Sequence, residues 1–510
     1  MQKWISAGVI ACVVLWGLLA PQDMQAFFNG ALAQVTRNFG WLYLWIVLGL
    51  VLLCLVLAFS RYGELKLGKE DDEPEFSSGS WFAMLFSAGM GIGLVFWGVA
   101  EPISHFLNPP PGVEAGTPEA ANAAMRYSFF HWGLHPWAVY SLVGLAIAFF
   151  QFRRDKPALI SSATDALPWR HARRIGPLVN ILAIVATAFG VAASLGVGAL
   201  QINAGLQRML GLPISINSQL VIIAVTTALF LLSALSGVGR GVKWLSSANL
   251  ILAACLALAI LLLGPTVAII DTFTNTLGAY LSDFVRMSLR MTPFRASEWV
   301  GSWTVFYWAW WISWSPFVGV FIARVSRGRT IREFILGTVL APTLAAALWF
   351  SIFGGTALHL EIFKAVPIAT AVKLDVATAM FAMFDALPLG GLMSAVATLL
   401  VVVFFVTSGD SATLVLSMMS SGGKSEPDNK TKLLWGLLVA LIAASLLMVG
   451  GVNAVQTATI VFALPFSVVL VLIAASLWRA VREDQHEQDK LEKAMRKRLR
   501  QGLTEADQGR

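Results

Sequence analysis

Three short segments place residues capable of chemistry inside an otherwise apolar chain. The first is Ser87-Ala88-Gly89-Met90-Gly91-Ile92-Gly93. Glycine lets a backbone leave helical geometry and lets a ligand come close. Freed carbonyls can then hold a cation, and freed N–H groups an anion. At membrane depth such backbone is tolerated only where it lines a cavity or packs in protein. Small residues at this spacing would equally serve close packing of two helices. The second segment is aromatic: Trp303, Tyr307, Trp308, Trp310, Trp311 and Trp314, with Trp132, Trp137 and Tyr140 elsewhere in the chain. Single Trp and Tyr residues often form interfacial belts. Trp310, Trp311 and Trp314, however, lie well inside a long apolar run, and Trp137 and Tyr140 share a helix face. Rings that converge on a cavity can hold a cation with no hydrogen-bond donors, such as a trimethylammonium group. Core packing is the alternative use of the same rings.

The third segment, Phe404-Phe405-Val406-Thr407-Ser408-Gly409-Asp410-Ser411, is polar within an apolar run. Adjacent hydroxyls with carbonyls make a hard-oxygen site for a small cation such as Na⁺. Buried Ser and Thr more commonly bond back onto their own helix. Asp410 is ionisable at depth, which marks a functional candidate, although pairing with an arginine would also account for it. His131 and His135 at i, i+4 have a metal-like spacing, but no carboxylate is expected to accompany them and aromatics surround them.

The elements that must position these residues are membrane helices. Of 510 residues, 57% are hydrophobic and 13% charged, against roughly 25% charged in soluble domains. Many apolar runs reach the ~20 residues that span a bilayer. Spans are expected near 4–20, 40–60, 79–105, 129–152, 177–207, 217–237, 242–264, 299–323, 333–356, 388–419, 431–450 and 453–478. The run from Lys3 to Ala20 is long for a signal peptide and reads as an uncleaved first span. Cys12, Cys54 and Cys255 lie inside apolar runs, with no disulfide or metal spacing.

The net charge of +7 comes from short loops and the tail, which argues for a membrane face and against nucleic acid. Arg153, Arg154, Lys156, Arg170, Arg173 and Arg174 crowd one loop; Arg324, Arg327, Arg329 and Arg332 another; Lys424, Lys430 and Lys432 a third. All fall on the side of both termini, which is therefore expected to be cytoplasmic in a bacterial inner membrane. The tail concentrates Lys490, Lys493, Arg496, Lys497, Arg498 and Arg500 beside a narrow apolar row of Leu491, Met495, Leu499 and Leu503. Such a helix suits anionic lipid; a solvated tail that fixes topology is the alternative.

The chain divides into two N-terminal spans with an acidic loop (1–78), a five-span block (79–264), a connecting segment (265–298), a second five-span block (299–478) and a charged tail (479–510). The first block opens on the glycine run, the second on the tryptophan cluster and Pro316. Interrupted helices at matching positions of two halves point to a midplane binding site between inverted repeats.

At these residues the sequence resembles the betaine/choline/carnitine transporter family, over roughly residues 5 to 480. The resemblance is carried by the glycine run with Glu101-Pro102, by Phe130-His131-Trp132-Gly133-Leu134-His135-Pro136-Trp137, by Trp308-Ala309-Trp310-Trp311-Ile312-Ser313-Trp314-Ser315-Pro316-Phe317, and by Arg327-Gly328-Arg329. It implies an all-α, LeuT-like fold of about twelve helices in two inverted five-helix repeats behind two extra helices. It also implies a homotrimer working by alternating access, with no enzymatic chemistry. Trp132, Trp137, Tyr140 and Trp311 would box the onium group, Trp314 would line the path, and Trp310 would be a second aromatic on the cytoplasmic side. The carboxylate of the substrate would lie against Gly89, Met90, Gly91 and Gly93. Sodium-coupled betaine carriers resemble this glycine run, whereas proton-coupled choline carriers tend to be acidic where this chain has Gly93. One Na⁺ would sit among Ser87, Met90, Phe404, Thr407 and Ser408. Thr187 and Phe317 match a second sodium site, but Val191 replaces its other threonine. The tail resembles the osmosensing extension of some members. The expected function is Na⁺-coupled uptake of glycine betaine or a similar osmolyte. Exchange or proton-coupled transport of choline, carnitine, ectoine or dimethylsulfoniopropionate is the alternative.

Overall fold

The computed structural model describes residues 1–89, 91–168, 172–236, 239–294 and 297–508. Apolar runs fold as helices because lipid leaves each backbone group to find its partner within the segment. The helices are α1 Gln2–Leu19, α2 Pro21–Phe59, α3 Ser78–Gly89, α4 Ile92–Leu107, α5 Pro118–Trp132, α6 Leu134–Ala148, α7 Ala172–Leu210, α8 Ile216–Ser236, α9 Gly239–Leu263, α10 Thr266–Ser282, α11 Phe284–Ser288, α12 Phe306–Arg324, α13 Ile331–Lys364, α14 Ile368–Leu374, α15 Ala379–Asp385, α16 Gly390–Ser420 and α17 Asn429–Gln508.

Among the described residues nine helices are long and apolar enough to cross a membrane, or ten if the bent pair ending in α9 and α10 counts as one span. The expected twelve are not reached by that measure, and the reasons are local. α3 and α4 are two short helices flanking a break, and α17 is one long helix bent at Gly450 and Gly451, where Gly451 has φ 59°. α2 runs far beyond the expected 40–60, because Pro21 sits harmlessly at its first turn and nothing up to Phe59 breaks it.

Two chain breaks differ from expectation. The span expected over 129–152 is interrupted at Gly133 (φ −94°, ψ −132°), which separates α5 from α6. A side chain there would meet the Phe129 carbonyl and the Tyr280 hydroxyl. The Tyr280 hydroxyl instead accepts from the Leu134 N–H at 3.1 Å. Conversely, Pro316 does not break α12, which runs unbroken through it. Proline removes the donor that the Ile312 carbonyl would have used, and the Ser315 hydroxyl donates to that carbonyl at 2.8 Å.

α12 is buried along nearly its whole length and packs on α6, α7 and α17. Apolar side chains of α2, α8 and α9, among them Leu52, Val225 and Leu258, face outward, as they must against hydrocarbon. At one end of the bundle the loop after α2 pairs with the loop before α13: the Leu67 N–H donates to the Arg329 carbonyl and the Ile331 N–H to the Leu65 carbonyl. α17 joins the same end. Arg153 and Arg154 both pair with Asp484, Arg153 also reaches Glu70, and Arg61 pairs with Asp489. The tail thus continues the last helix unbroken and is ionically clasped over its first turns, while Leu491 and Met495 stand exposed.

Candidate functional site

The break after α3 is real: Gly91 is extended (φ −147°, ψ −168°) and α4 starts at Ile92. Gly89 ends α3. Met90 and the side chain of Ser87 lie outside the described residues. Gly93, one residue into α4, is required by close approach. A Cβ there would lie 2.8 Å from the Trp310 ring and 3.1 Å from the Trp132 ring. The glycine face of the broken helix is therefore the floor on which two indoles rest.

Around this floor lies a cavity of about 140 Å³. Gly91, Gly93, Trp132, Trp137, Tyr140, Trp310, Trp311, Trp314, Phe317, Phe404, Thr407 and Ser408 all border it. Residues scattered over five helices in the sequence thus share one wall. Trp311 is the ring the others contact. Trp310 stacks on it at 5.0 Å and 11°, Trp132 meets it edge-to-face at 4.8 Å, and Tyr140 stands edge-on at 6.1 Å. Trp137 in turn meets Tyr140 at 5.5 Å and 81°. The bordering residues also include Ser194 and Ser411, and among the described ones none is Asp, Glu, Lys, Arg or His.

The ring nitrogens of three of these indoles are tied behind the wall. Trp132 Nε1 donates to Glu101 Oε2 at 2.7 Å, Trp311 Nε1 to the His131 carbonyl at 2.9 Å, and Trp314 Nε1 to the Gly190 carbonyl at 2.8 Å. With these N–H groups satisfied elsewhere, what the cavity receives is ring surface. The negative face of an indole attracts a cation, and needs no hydrogen-bond donor from it.

Sequence reasoning missed the residue that organises this. Glu101, fully buried on α4, accepts from Trp132 and from the Tyr307 hydroxyl (2.6 Å) on Oε2, and meets His131 (2.7 Å) and His105 (3.2 Å) through Oε1. His131 therefore does have a carboxylate partner, supplied by a helix thirty residues upstream. The available signal was an acidic residue within an apolar run. Glu101, His105 and His131 hold their ligand atoms within 4.8 Å of one another, but they already bond directly, carboxylate to ring nitrogen. His135 points elsewhere, with Nε2 at 2.8 Å from the Ser288 hydroxyl and its ring stacked on Trp308.

The expected cation-site residues fare unequally. Phe404, Thr407 and Ser408 border the cavity, and the Thr407 hydroxyl bonds back to the Val403 carbonyl at 2.9 Å. Phe317 borders the cavity beside Trp314. Thr187 is buried off the cavity border, and its hydroxyl has no partner among the described residues. Asp410 accepts from the Ser233 hydroxyl at 2.5 Å rather than pairing with an arginine.

Fold and site together define a polytopic helical membrane protein built round an uncharged aromatic cavity. Residues 3–486 match the family described as BCCT, betaine/carnitine/choline family transporter, and the chain belongs to that family. It is 49% identical over 493 residues to the glycine betaine transporter OpuD of Bacillus subtilis (strain 168), covering 96% of each chain. It is 44% identical over 490 residues to an ectoine/hydroxyectoine transporter of Virgibacillus pantothenticus, covering 96% of this chain and 98% of the relative. Glycine betaine transporter 1 of Vibrio parahaemolyticus serotype O3:K6 (strain RIMD 2210633) is 40% identical over 510 residues, covering 95% and 96%.

Proposed function

We propose that the protein is a secondary carrier that imports glycine betaine or a closely similar osmolyte together with Na⁺. The observation that carries this reading is the cavity wall: Trp132, Trp137, Tyr140 and Trp311 line it with aromatic rings and bring no fixed charge. A trimethylammonium group offers no hydrogen-bond donor, so ring faces suit it where a carboxylate cage would also admit ammonium or lysine-like ligands. The carboxylate end of the substrate then lies toward the open backbone at Gly91 and Gly93. Similarity to glycine betaine carriers from Bacillus and Vibrio supports the same substrate.

Sodium would occupy the cavity border at Thr407 and Ser408 with the carbonyl of Phe404, closing against the end of α3. Thr407 can take part while its hydroxyl still donates to the Val403 carbonyl, because the oxygen keeps lone pairs for the ion. Binding there would order the break between α3 and α4 and complete the aromatic cage. The two halves, read as inverted repeats, would then rock about the cavity. The arginine-rich end, where α17 is clasped to Arg153 and Arg154, faces the cytoplasm in this reading.

The test is uptake of radiolabelled glycine betaine by purified protein in liposomes, with and without an inward Na⁺ gradient, in competition with choline and ectoine. Accumulation that needs the gradient and resists choline is expected. Gradient-independent uptake would replace coupling with exchange, and absence of betaine uptake would overturn the substrate.

A further inference from the structure

None of the described residues bordering the cavity is Asp or Glu, yet a buried carboxylate stands one indole behind it. We propose that Glu101 makes the cavity select a positively charged head over a neutral one of equal shape, acting through the Trp132 ring that it holds. This rests on the proposed onium substrate.

Three observations carry the inference. First, each Glu101 oxygen is met by two groups: Oε2 by the Trp132 N–H and the Tyr307 hydroxyl, Oε1 by His131 and His105. A carboxylate surrounded by donors on both oxygens has no place for a proton of its own and stays ionised. Second, the histidines are arranged to leave that charge uncancelled. His105 meets Glu101 through Nε2, and its Nδ1 is buried with no partner. A neutral, Nε2-protonated ring donates to Glu101 and leaves no buried N–H unpaired at Nδ1. His131 places Nδ1 on Glu101 and Nε2 on the Thr304 hydroxyl at 3.0 Å. With Nδ1–H donating to the carboxylate, the Thr304 hydroxyl can donate to Nε2, which completes a neutral His131 ring. Third, Trp132 is both the ligand of Glu101 and a wall of the cavity, edge-on to Trp311 at 4.8 Å. The negative charge therefore sits about one indole width from the cavity, with the Trp132 ring between them. A charge at that range in a poorly screened interior is felt by a cation and ignored by a neutral group. Hydrogen bonding of the indole N–H to an anion also makes the ring face richer in electrons, which strengthens the same preference.

The experiment compares glycine betaine with 3,3-dimethylbutanoate, which has the same shape and carboxylate with carbon in place of the charged nitrogen. The ratio of the inhibition constant of the neutral compound to the KM of betaine measures selection for charge. Glu101→Gln keeps an oxygen for Trp132 and Tyr307, and its NH2 can face His131 after a tautomer change, but the charge is gone. The ratio is expected to fall about tenfold in this variant, through a raised KM for betaine and an unchanged inhibition constant for the neutral compound. Equal weakening of both compounds would make Glu101 a purely structural prop and overturn the inference. If wild-type protein shows no preference for the charged compound, the onium reading itself fails. Should Glu101→Gln not reach the membrane, Glu101→Asp keeps the charge and must keep the ratio while weakening both compounds. A collapse of the ratio in Glu101→Asp would contradict the proposal.

Discussion

The aromatic cavity and the arginine-rich end of the bundle handle charge in opposite ways. In the cavity, charge is kept off the described border: aromatic rings line it, and the carboxylate behind Trp132, Glu101, is fully buried and saturated with partners. At the end of the bundle, charge meets charge directly, with Arg153 and Arg154 on Asp484, Arg61 on Asp489 and Arg327 on Asp72. The first arrangement leaves ring surface free to bind a ligand. The second consumes its charges in holding loops and α17 together. Binding should therefore depend on the cavity, and assembly of the bundle end on the ion pairs, with little exchange between the two.

That separation can be broken or sharpened by substitution. The largest effect is expected from Trp311→Ala, which removes the ring that Trp310, Trp132 and Tyr140 all contact. A desolvated cation–π contact is worth about 2 kcal/mol, so the KM for betaine should rise about thirtyfold or more while protein still reaches the membrane. Gly93→Ala comes next. The added methyl collides with Trp310 and Trp132, and overpacking of ~1–3 kcal/mol predicts a KM raised by about tenfold in transport assays. Asp484→Asn should act on the other region. It strips the shared partner from two arginines, at a cost of ~1–3 kcal/mol, and should lower the thermal midpoint in detergent with KM within about twofold. A KM shift as large as that of Trp311→Ala would show the two regions to be one system. The smallest effect belongs to Asp72→Asn, since its pair with Arg327 is exposed. The Arg327 guanidinium holds the Asp72 carboxyl below the usual carboxylate range. That contact is thus present at neutral pH and lost only as pH falls through the lowered value. The variant should melt at most slightly below wild type at neutral pH, and the two should converge on acidification below that value.

Much of this was legible in sequence, and the limits are specific. Three glycines in an apolar run announce the break at Gly91, because local composition alone loosens the helix. The rings of α6 and α12 are legible as a set, and the structure gathers them on one cavity. The break at Gly133 was passed over although Gly133 and Pro136 stand there; the bond that satisfies the freed Leu134 N–H comes from Tyr280, far along the chain. Pro316 looked like an interruption, because the compensating bond from Ser315 depends on a rotamer. Glu101 was passed over because its partners come from three helices: its own α4 supplies His105, α5 supplies His131 and Trp132, and α12 supplies Tyr307. Hydrogen-bond networks assembled across helices leave no spacing pattern to read. The extent of α2 was missed for a simpler reason, since a polar stretch after Pro21 resembles a loop until its neighbours continue it.

The central claim is that ring faces, rather than apolar bulk, hold the substrate. It is tested most directly by equilibrium binding of radiolabelled glycine betaine to purified protein carrying Trp311→Phe or Trp311→Leu. Phenylalanine keeps a ring and should bind within several-fold of wild type, whereas leucine should lose about thirtyfold. Equal affinity in the phenylalanine and leucine variants would contradict the aromatic cage.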